Sequence, residues 1–186
     1  LSIVKRLLEW NPNINISMNE EIIIRSACSY NRVDIVKYLL EKKPNIDISL
    51  YNEEAFRWAC NNNNIELMKI LYEYKPTLNI SYNYEEPFRW SCYMGHLEVL
   101  KLLLEWKPSI EINIRNYEGI RWAIERSKYD IIKYLFEFDI NLINIIPDLD
   151  IKEKDKEYII KLGNNIKMYT IANCGHLTII EYITPW

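Results

Sequence analysis

A repeat with a period of 32 residues runs through most of this chain. Leucine, lysine, glutamate, proline and arginine each recur at that interval over most of the 186 residues. The recurring positions are Leu7, Leu39, Leu71, Leu103 and Leu135; Lys5, Lys37, Lys69, Lys101 and Lys133; Glu9, Glu41, Glu73, Glu105 and Glu137; Pro12, Pro44, Pro76 and Pro108; and Arg25, Arg57, Arg89 and Arg121. A fixed period of this length is typical of stacked supersecondary units, each of which contacts only its neighbours.

One unit shows what each repeat contains. Residues 85–87, two acids and a proline, are predicted to open a first helix, and Gly95-His96 interrupts it. Residues 97–106 are predicted to form a second helix with apolar residues on one face, which ends at Lys107-Pro108 because proline cannot continue a helix. Apolar and polar residues then alternate over residues 110–113, which predicts an extended finger. Since neither helix exceeds about three turns, each needs burial against its neighbours.

A resemblance to a known family follows from these motifs. Residues 95–105 (Gly-His-Leu-Glu-Val-Leu-Lys-Leu-Leu-Leu-Glu) resemble the second-helix motif of the ankyrin repeat. Ser91-Cys92 stands where that family has paired small residues, and residues 86–89 (Glu-Pro-Phe-Arg) align with its Thr-Pro-Leu-His turn. The resemblance covers most of the chain and implies an all-α, ankyrin-repeat solenoid of stacked helix-turn-helix units.

The departures from the family pattern are also regular. Arginine stands at the family histidine in four units, and Lys-Pro or a similar pair replaces the family Gly-Ala before the finger. Together with the abundance of Ile, Asn, Lys and Tyr, the stretch 52–60 makes the chain most similar to ankyrin-repeat proteins of giant amoeba-infecting DNA viruses.

The recurring positions divide the chain into units. The predicted division is residues 1–17 for a partial leading repeat, 18–49, 50–81, 82–113 and 114–145 for full repeats, 146–164 for an inserted helix, and 165–186 for a short terminal repeat. Leu1 aligns with Val33 inside a second helix, so we expect an array with an open first edge that stacks on further repeats or on another chain. Gly163 is predicted to cap the inserted helix, which serves either as a cap of the array or as a partner-docking helix.

Composition disfavours most catalytic and nucleic-acid-binding classes. The chain has only 4 Gly and 2 His, so phosphate-cradling loops and histidine-based metal sites are not expected. The net charge of −3 gives no electrostatic case for nucleic acid or an anionic membrane, and no stretch approaches the ~18 apolar residues that span a bilayer. We therefore expect that the protein is not an enzyme and that it binds no cofactor, metal, nucleic acid or membrane. The expected location is intracellular, in a host cytoplasm or a virion.

Several polar and thiol groups have structural interpretations. The cysteines are Cys28, Cys60, Cys92 and Cys174, of which the first three follow the repeat and are predicted to be reduced and buried. The acid pairs Glu53-Glu54 and Glu85-Glu86 are interpreted as helix-start acids, which favour the positive end of the helix dipole, and not as catalytic carboxylates. His96 and His176 occupy equivalent turns, where the family uses histidine structurally.

Two further sets of residues leave alternatives open. The four repeating arginines are expected to hydrogen-bond the loop between units or to pair with an acid such as Glu54 or Glu86; the alternative is a strip that binds anions, which the acidic composition disfavours. The tryptophans Trp58, Trp90 and Trp122 form either half-buried packing or a binding stripe, since Trp, Tyr and Arg dominate interface hot spots.

The resemblance implies non-catalytic protein binding through a concave groove and the finger tips, where the units differ most. The expected partner-binding residues are Tyr51, Trp58, Asn61, Tyr82, Tyr84, Trp90, Tyr93, Met94, Arg115 and Trp122. Two alternatives are a structural component of a viral particle or assembly and a substrate adaptor for a host ubiquitin ligase. Some viral ankyrin proteins act as adaptors through a C-terminal F-box, and no F-box-like segment is seen here.

Overall fold

The computed structural model describes residues 2–11, 18–43 and 45–173, and within these ranges the chain is helical with no strand. The elements in chain order are α1 (Ser2–Trp10), α2 (Met18–Ser29), α3 (Val33–Lys42), α4 (Leu50–Asn61), α5 (Ile65–Tyr74), α6 (Tyr82–Met94), α7 (Leu97–Trp106), α8 (Ile114–Glu125), α9 (Tyr129–Phe138), a 3₁₀ segment (Ile140–Asp148) and α10 (Glu153–Asn173). The all-α, helix-turn-helix solenoid that the sequence predicts is confirmed.

The helices form two layers. The first helices of the units, α2, α4, α6 and α8, pack on one another in chain order, and each second helix, α3, α5, α7 and α9, packs against the first helix that precedes it. Leucine and phenylalanine side chains fill the space between the layers. The largest fully buried ones include Phe56, Phe88, Phe136, Leu71, Leu103 and Leu135. Each such side chain contributes about 1.5–3 kcal/mol of transfer free energy, which the short helices could not gain alone.

The turn between the two helices of a unit uses one left-handed residue. Gly95 has φ +80°, and the N–H groups of Gly95 and His96 both donate to the carbonyl oxygen of Ser91 at 2.9 Å. The equivalent residues in the other units also have positive φ; they are Asn31, Asn63 and Ser127. Asparagine tolerates this conformation better than other non-glycine residues, so the turn survives in a chain with few glycines. The predicted break at Gly95-His96 and the second helix from residue 97 to 106 are confirmed.

The finger that precedes each first helix bends sharply. Three consecutive residues have left-handed backbone angles in each of three units: Tyr51, Asn52 and Glu53; Asn83, Tyr84 and Glu85; and Arg115, Asn116 and Tyr117. Right-handed helix therefore begins one residue later than predicted, at Glu86 in α6. The extended finger predicted over residues 110–113 is a series of turns, although its alternation in burial is real, with Ile110 buried and Glu111 exposed.

The far end of the array differs from the prediction. Gly163 does not end a helix, because α10 continues through it to Asn173 and includes the predicted boundary at residues 164 and 165. A Cβ atom on Gly163 would lie 2.5 Å from Ile143 Cδ1 and 3.0 Å from Phe136 Cε2. The glycine therefore permits the close crossing of α10 over α9 and the 3₁₀ segment. Cys174, the Gly175-His176-Leu177 motif and the rest of the terminal repeat lie outside the described residues.

The opposite end leaves apolar side chains in contact with solvent. Trp10 of α1 is 82% exposed, and Ile22 and Ile23 of α2 are exposed as well. A shallow, mainly apolar groove of about 490 Å³ lies there, lined in part by Val4 and Ile35. None of the helices in the described ranges has the length and hydropathy needed to cross a bilayer.

Candidate functional site

The outer side of the first-helix layer is the surface that carries the predicted residues; we call it the first-helix face. In α6, Phe88 and Cys92 are buried against the second helices. Trp90 lies two residues from each of them, about 200° around the helix, and it is 37% exposed. The period therefore places Trp58, Trp90 and Trp122 in a row along this face, beside the finger tips.

An aromatic cluster occupies the middle of the first-helix face. The rings of Trp90 and Tyr93 stack with centroids 5.1 Å apart, and Trp122 meets both edge-on at 6.4 and 5.5 Å. The guanidinium of Arg126 lies over the Tyr93 ring at 4.4 Å and donates to its hydroxyl oxygen. Contacts of this kind are worth about 0.5–1.5 kcal/mol each, so they hold the cluster in a defined geometry. Trp90 thus packs in the cluster and is 37% exposed as well, so half-buried packing and a binding stripe both stay predictions.

Trp58 stands apart from this cluster on the same face. It is also 37% exposed, and its Nε1–H donates to Glu54 Oε1 at 3.5 Å, the outer limit of a hydrogen bond. Among the described residues, no aromatic ring stacks on the Trp58 indole. The exposed part of Trp58 is therefore not covered by another aromatic ring of the described residues.

The repeating arginines pair with acids of the following unit. The pairs join an arginine in one first helix to a glutamate at the first turn of the next: Arg25 with Glu54, Arg57 with Glu86, and Arg89 with Glu118. The Arg57 Nη2–Glu86 Oε1 distance is 3.9 Å, and the other two pairs are in closer contact. The predicted pairing with Glu54 and Glu86 is confirmed, and Glu118 adds a partner that sequence reasoning missed. Because carboxylates neutralise these guanidinium groups, the alternative of an anion-binding strip loses its basis.

Arg89 also holds the finger tip of its own unit. Its Nε donates to the carbonyl oxygen of Tyr84 at 2.7 Å, and its Nη2 donates to that of Asn83 at 2.9 Å. Left-handed angles cost a non-glycine residue about 1–2 kcal/mol, and these hydrogen bonds offset part of that cost. Five donors in a planar fork allow one side chain to bind the tip and the next unit together, which a histidine at this position could not do.

The last arginine of the set has no such acid. Arg121 Nη2 donates to the Arg115 carbonyl oxygen at 3.3 Å, and its buried Nε has no hydrogen-bond partner. The residue 29 positions after Arg121 is an acid, Asp150, but no ion pair joins the two in the described part of the chain. It follows the 3₁₀ segment instead of starting a first helix, so the inserted residues interrupt the pairing.

A second set of polar contacts fixes the base of each finger. Lys107 Nζ lies 3.1 Å from Glu85 Oε1 and also donates to Ser81 Oγ. One unit earlier, Lys75 donates to the equivalent serine, Ser49 Oγ, at 2.6 Å, but its carboxylate partner is Asp47, whose Oδ1 lies 2.9 Å away. Lys75 and Lys107 therefore each tie a finger to the finger of the preceding unit.

The acids Glu53 and Glu85 belong to these finger bases rather than to solvent-facing helix starts. Glu85 is only 6% exposed, and Glu53 Oε1 accepts a hydrogen bond from Asn79 N at 3.1 Å. Burial raises the pKa of Glu53 above its ordinary value. Serine hydrogen bonds and Lys75 lower the pKa of Asp47 to about 2. The recurrence of lysine at residues 75 and 107 was the sequence signal for this network.

The structure places the other predicted partner-binding residues unevenly. Tyr51, Met94 and Arg115 are exposed, and Asn61 is half-buried. Tyr84 is 63% exposed at a finger tip, whereas Tyr82 is 8% exposed with the Arg57 guanidinium 5.5 Å from its ring centre. Burial, followed by the charge of Glu86, raises the pKa of Tyr82. Tyr82 therefore belongs to the scaffold and offers little contact area to a partner.

The buried cysteines and His96 have environments typical of structural packing and not of a catalytic site. Cys28, Cys60 and Cys92 are free, buried thiols, as predicted, and burial raises the pKa of Cys28 to about 12. Thiols of this kind are poor nucleophiles at neutral pH. His96 Nδ1 lies 3.3 Å from the Cys60 carbonyl oxygen, and burial lowers the pKa of this imidazole. No group of three His, Cys, Asp or Glu residues in the described ranges has a metal-binding arrangement.

A comparison with family models agrees with this geometry. A model described as ankyrin repeats (3 copies) matches residues 1–84 and again residues 44–116. The chain belongs to the ankyrin-repeat family. Ankyrin repeats generally mediate protein–protein interaction and are typically non-enzymatic scaffolds. No curated protein and no solved structure matches the chain, so similarity to giant-virus proteins stays a prediction.

Proposed function

We propose that this ankyrin-repeat chain is a non-catalytic scaffold that binds a protein partner through the first-helix face and the finger tips. The observation that carries the proposal is the exposure of Tyr84, Trp90 and Met94 on a layer whose opposite side is fully buried. Large aromatic side chains provide contact area at low conformational cost, and they are enriched in interface hot spots. In this proposal the first-helix face takes the role of the concave groove that the resemblance implies.

The contacts beneath this surface favour a preorganised binding site. Arg89 fixes the finger tip of its own unit to the next first helix, and Lys107 fixes the finger base. A tip that is already ordered loses less entropy on binding. The exposed finger-tip residues differ from unit to unit, while the tryptophan row and the arginine–glutamate pairs recur, which is the arrangement expected of a recognition surface on a repeat scaffold.

Affinity purification from the cells that make the protein, followed by mass spectrometry, tests the proposal. We expect the double variant Tyr84→Ala/Trp90→Ala to lose a partner that the unchanged protein captures. The matched control is Lys69→Ala/Glu73→Ala, which alters exposed side chains of the second helix α5 and should keep that partner. Circular dichroism checks that helicity is equal in all three proteins. Equal capture by all three would contradict binding through this face.

The exposed apolar first end favours a second candidate, a structural component of a viral particle or other assembly. Ile22, Ile23 and Trp10 present apolar surface there that a further helix layer would cover. We expect Ile22→Asp to remove self-association in sedimentation if assembly uses this end, while Tyr84→Ala leaves it intact. Ubiquitin-ligase subunits among the captured proteins would instead indicate the adaptor role, which no described feature specifically favours.

A further inference from the structure

We propose that the first end of the array binds an amphipathic helix of a partner protein, and that this helix is not a further repeat of the present type. The binding surface, which we call the α2 edge, is the side of α2 that carries Ile22, Ile23 and Tyr30, with the groove that these residues line beside Val4 and Ile35. The inference goes beyond the proposed function, because the aromatic cluster lies on α6 and α8.

The place of the α2 edge in the row of first helices indicates a helical occupant. Because α4 packs on α2, α6 on α4 and α8 on α6, this side of each later first helix is covered by the first helix before it. The exposed side chains of the edge follow helical spacing, since Ile22, Ser26 and Tyr30 lie four residues apart and Ile23 lies beside them. A stripe of this kind accepts the apolar face of an amphipathic helix.

Ile22 interrupts the series of arginine–glutamate pairs. At the same position, the next three units have Glu54, Glu86 and Glu118, each paired with an arginine of the first helix before it. A repeat of the same type placed against α2 would bring its arginine to Ile22, whose side chain cannot neutralise it. Because a guanidinium left unpaired at an apolar interface is destabilising, the occupant presents an apolar residue at this point.

Ile23 departs from the series in the same direction. The next three units have small or compact residues at this position, Ala55, Pro87 and Gly119, and all three are buried. A Cβ atom on Gly119 would lie 3.1 Å from Phe88 Cε1, so this position is where neighbouring first helices approach closely. The larger side chain of Ile23 prevents that approach, and the first helix of a like repeat would not fit against α2 in the same way.

Tyr30 replaces a polar contact of the next unit with apolar area. Asn62, at the same position in α4, donates from Nδ2 to the carbonyl oxygens of Cys28 and Ser29 at 3.2 Å. The tyrosine ring is 76% exposed and provides contact area at low conformational cost. Arg32 is exposed and lines the same groove. The charge of Arg32 favours a partner helix that carries an acid beside its apolar face.

The test uses the protein labelled with ¹³C at the δ1 methyl groups of isoleucine. The probe is a peptide of about sixteen residues of Leu, Ala, Lys and Glu, with leucine at i, i+3, i+4 and i+7. The control peptide has the same composition, but its leucines do not share a face. We expect saturable shifts of the Ile22 and Ile23 signals with the probe and no shift of Ile159, which is buried in α10. Absence of these shifts at millimolar probe, or equal shifts with the control peptide, would overturn the proposal.

A charge at position 22 separates the partner helix from a further repeat. We expect Ile22→Glu, which restores the acid of the later units, to weaken probe binding about tenfold or more, because the carboxylate would face leucine. Tyr158→Ala, which alters an exposed aromatic on α10, is the matched control and should leave the affinity unchanged. Circular dichroism checks that both variants stay helical. If the unchanged protein preferred a probe with arginine in place of a central leucine, a further repeat would be the occupant and the proposal would be wrong.

Two more measurements keep this inference distinct from the proposed function and from self-association. The double variant Tyr84→Ala/Trp90→Ala should bind the probe as tightly as the unchanged protein does. Loss of probe binding in that variant would contradict the proposal, whereas loss of a captured partner there bears on the first-helix face alone. A dimer in sedimentation that Ile22→Glu converts to a monomer would show that a second copy covers the α2 edge, and would likewise contradict a partner helix.

Discussion

Arg89 pairs with Glu118, which lies 29 residues later at the first turn of the next first helix. Both side chains are largely buried, and the remaining donors of Arg89 hold the carbonyl oxygens of its own finger tip. The same relationship recurs one unit earlier between Arg57 and Glu86, but there the groups are more exposed and 3.9 Å apart. The two pairs therefore provide a matched comparison inside one chain.

We expect Arg89→Ala to lower the free energy of unfolding by about 3–5 kcal/mol, because it removes the closer partner of the half-buried Glu118 and two hydrogen bonds to the finger tip. Arg115 Nη1, 3.9 Å from Glu118 Oε2, is the arginine that remains beside this acid. Arg57→Ala should cost less, about 0–1 kcal/mol for the more exposed ion pair and about 0.5–1 kcal/mol for its contact with the Tyr82 ring. Urea denaturation followed by circular dichroism measures both. A double-mutant cycle with Glu118→Gln isolates the pair, and equal losses for the two arginines would show that burial does not set the strength of this contact.

Gly163 should be intolerant of a side chain although it lies inside a helix, where alanine is normally favoured. Its Cβ would meet Ile143 Cδ1 at 2.5 Å, so we expect Gly163→Ala to destabilise the chain by about 1–3 kcal/mol. Thermal unfolding measures the loss. Ile143→Val removes the nearest atom, so the double variant should recover stability relative to Gly163→Ala. Stabilisation by the single variant would mean that α10 does not cross here closely.

The helix pairs could be predicted from the sequence, whereas several contacts between units could not. The bounds of α7 follow from local signals, since Gly95 stops one helix and Pro108 limits the next. The burial of Glu85 depends on Lys107, which follows α7, and on a left-handed turn. Neither can be predicted from the Glu85-Glu86 pair alone. A glycine such as Gly163 at the end of an apolar helical pattern predicts a C-cap. The structure shows instead that it lies inside α10, where a side chain would clash with Ile143.

The buried acid Glu53 should make stability depend on pH. Its pKa in the folded state is raised from 4.5 by burial, so the folded chain holds this proton more tightly than the unfolded chain. The stability that this group contributes is present below pH 4.5 and is lost as the pH rises through the raised pKa. We expect Glu53→Gln, which never ionises, to gain stability relative to the unchanged protein as the pH rises from 4.5 to 8.

Thermal unfolding of both proteins across this range gives the difference in stability at each pH. The exposed acid Glu41 supplies the control, because Glu41→Gln should leave that difference nearly constant. A Glu53→Gln protein whose relative stability falls with rising pH would show that the contacts of the carboxylate to Asn79 N and Lys75 outweigh its burial.

Alanine substitutions of two neighbouring tyrosines, Tyr82 and Tyr84, should differ strongly in their effect on the free energy of unfolding. Tyr82 is buried under the Arg57 guanidinium, so we expect Tyr82→Ala to lower the free energy of unfolding by about 3–5 kcal/mol, as for other buried aromatics. Tyr84 projects from the finger tip, and Tyr84→Ala should change stability by no more than about 0.5 kcal/mol. Chemical denaturation of the two variants measures this contrast. If Tyr84→Ala loses partner binding, the loss reports on the binding surface, whereas a loss in Tyr82→Ala reports on the stability of the scaffold. A large loss of stability in Tyr84→Ala would contradict its exposed position.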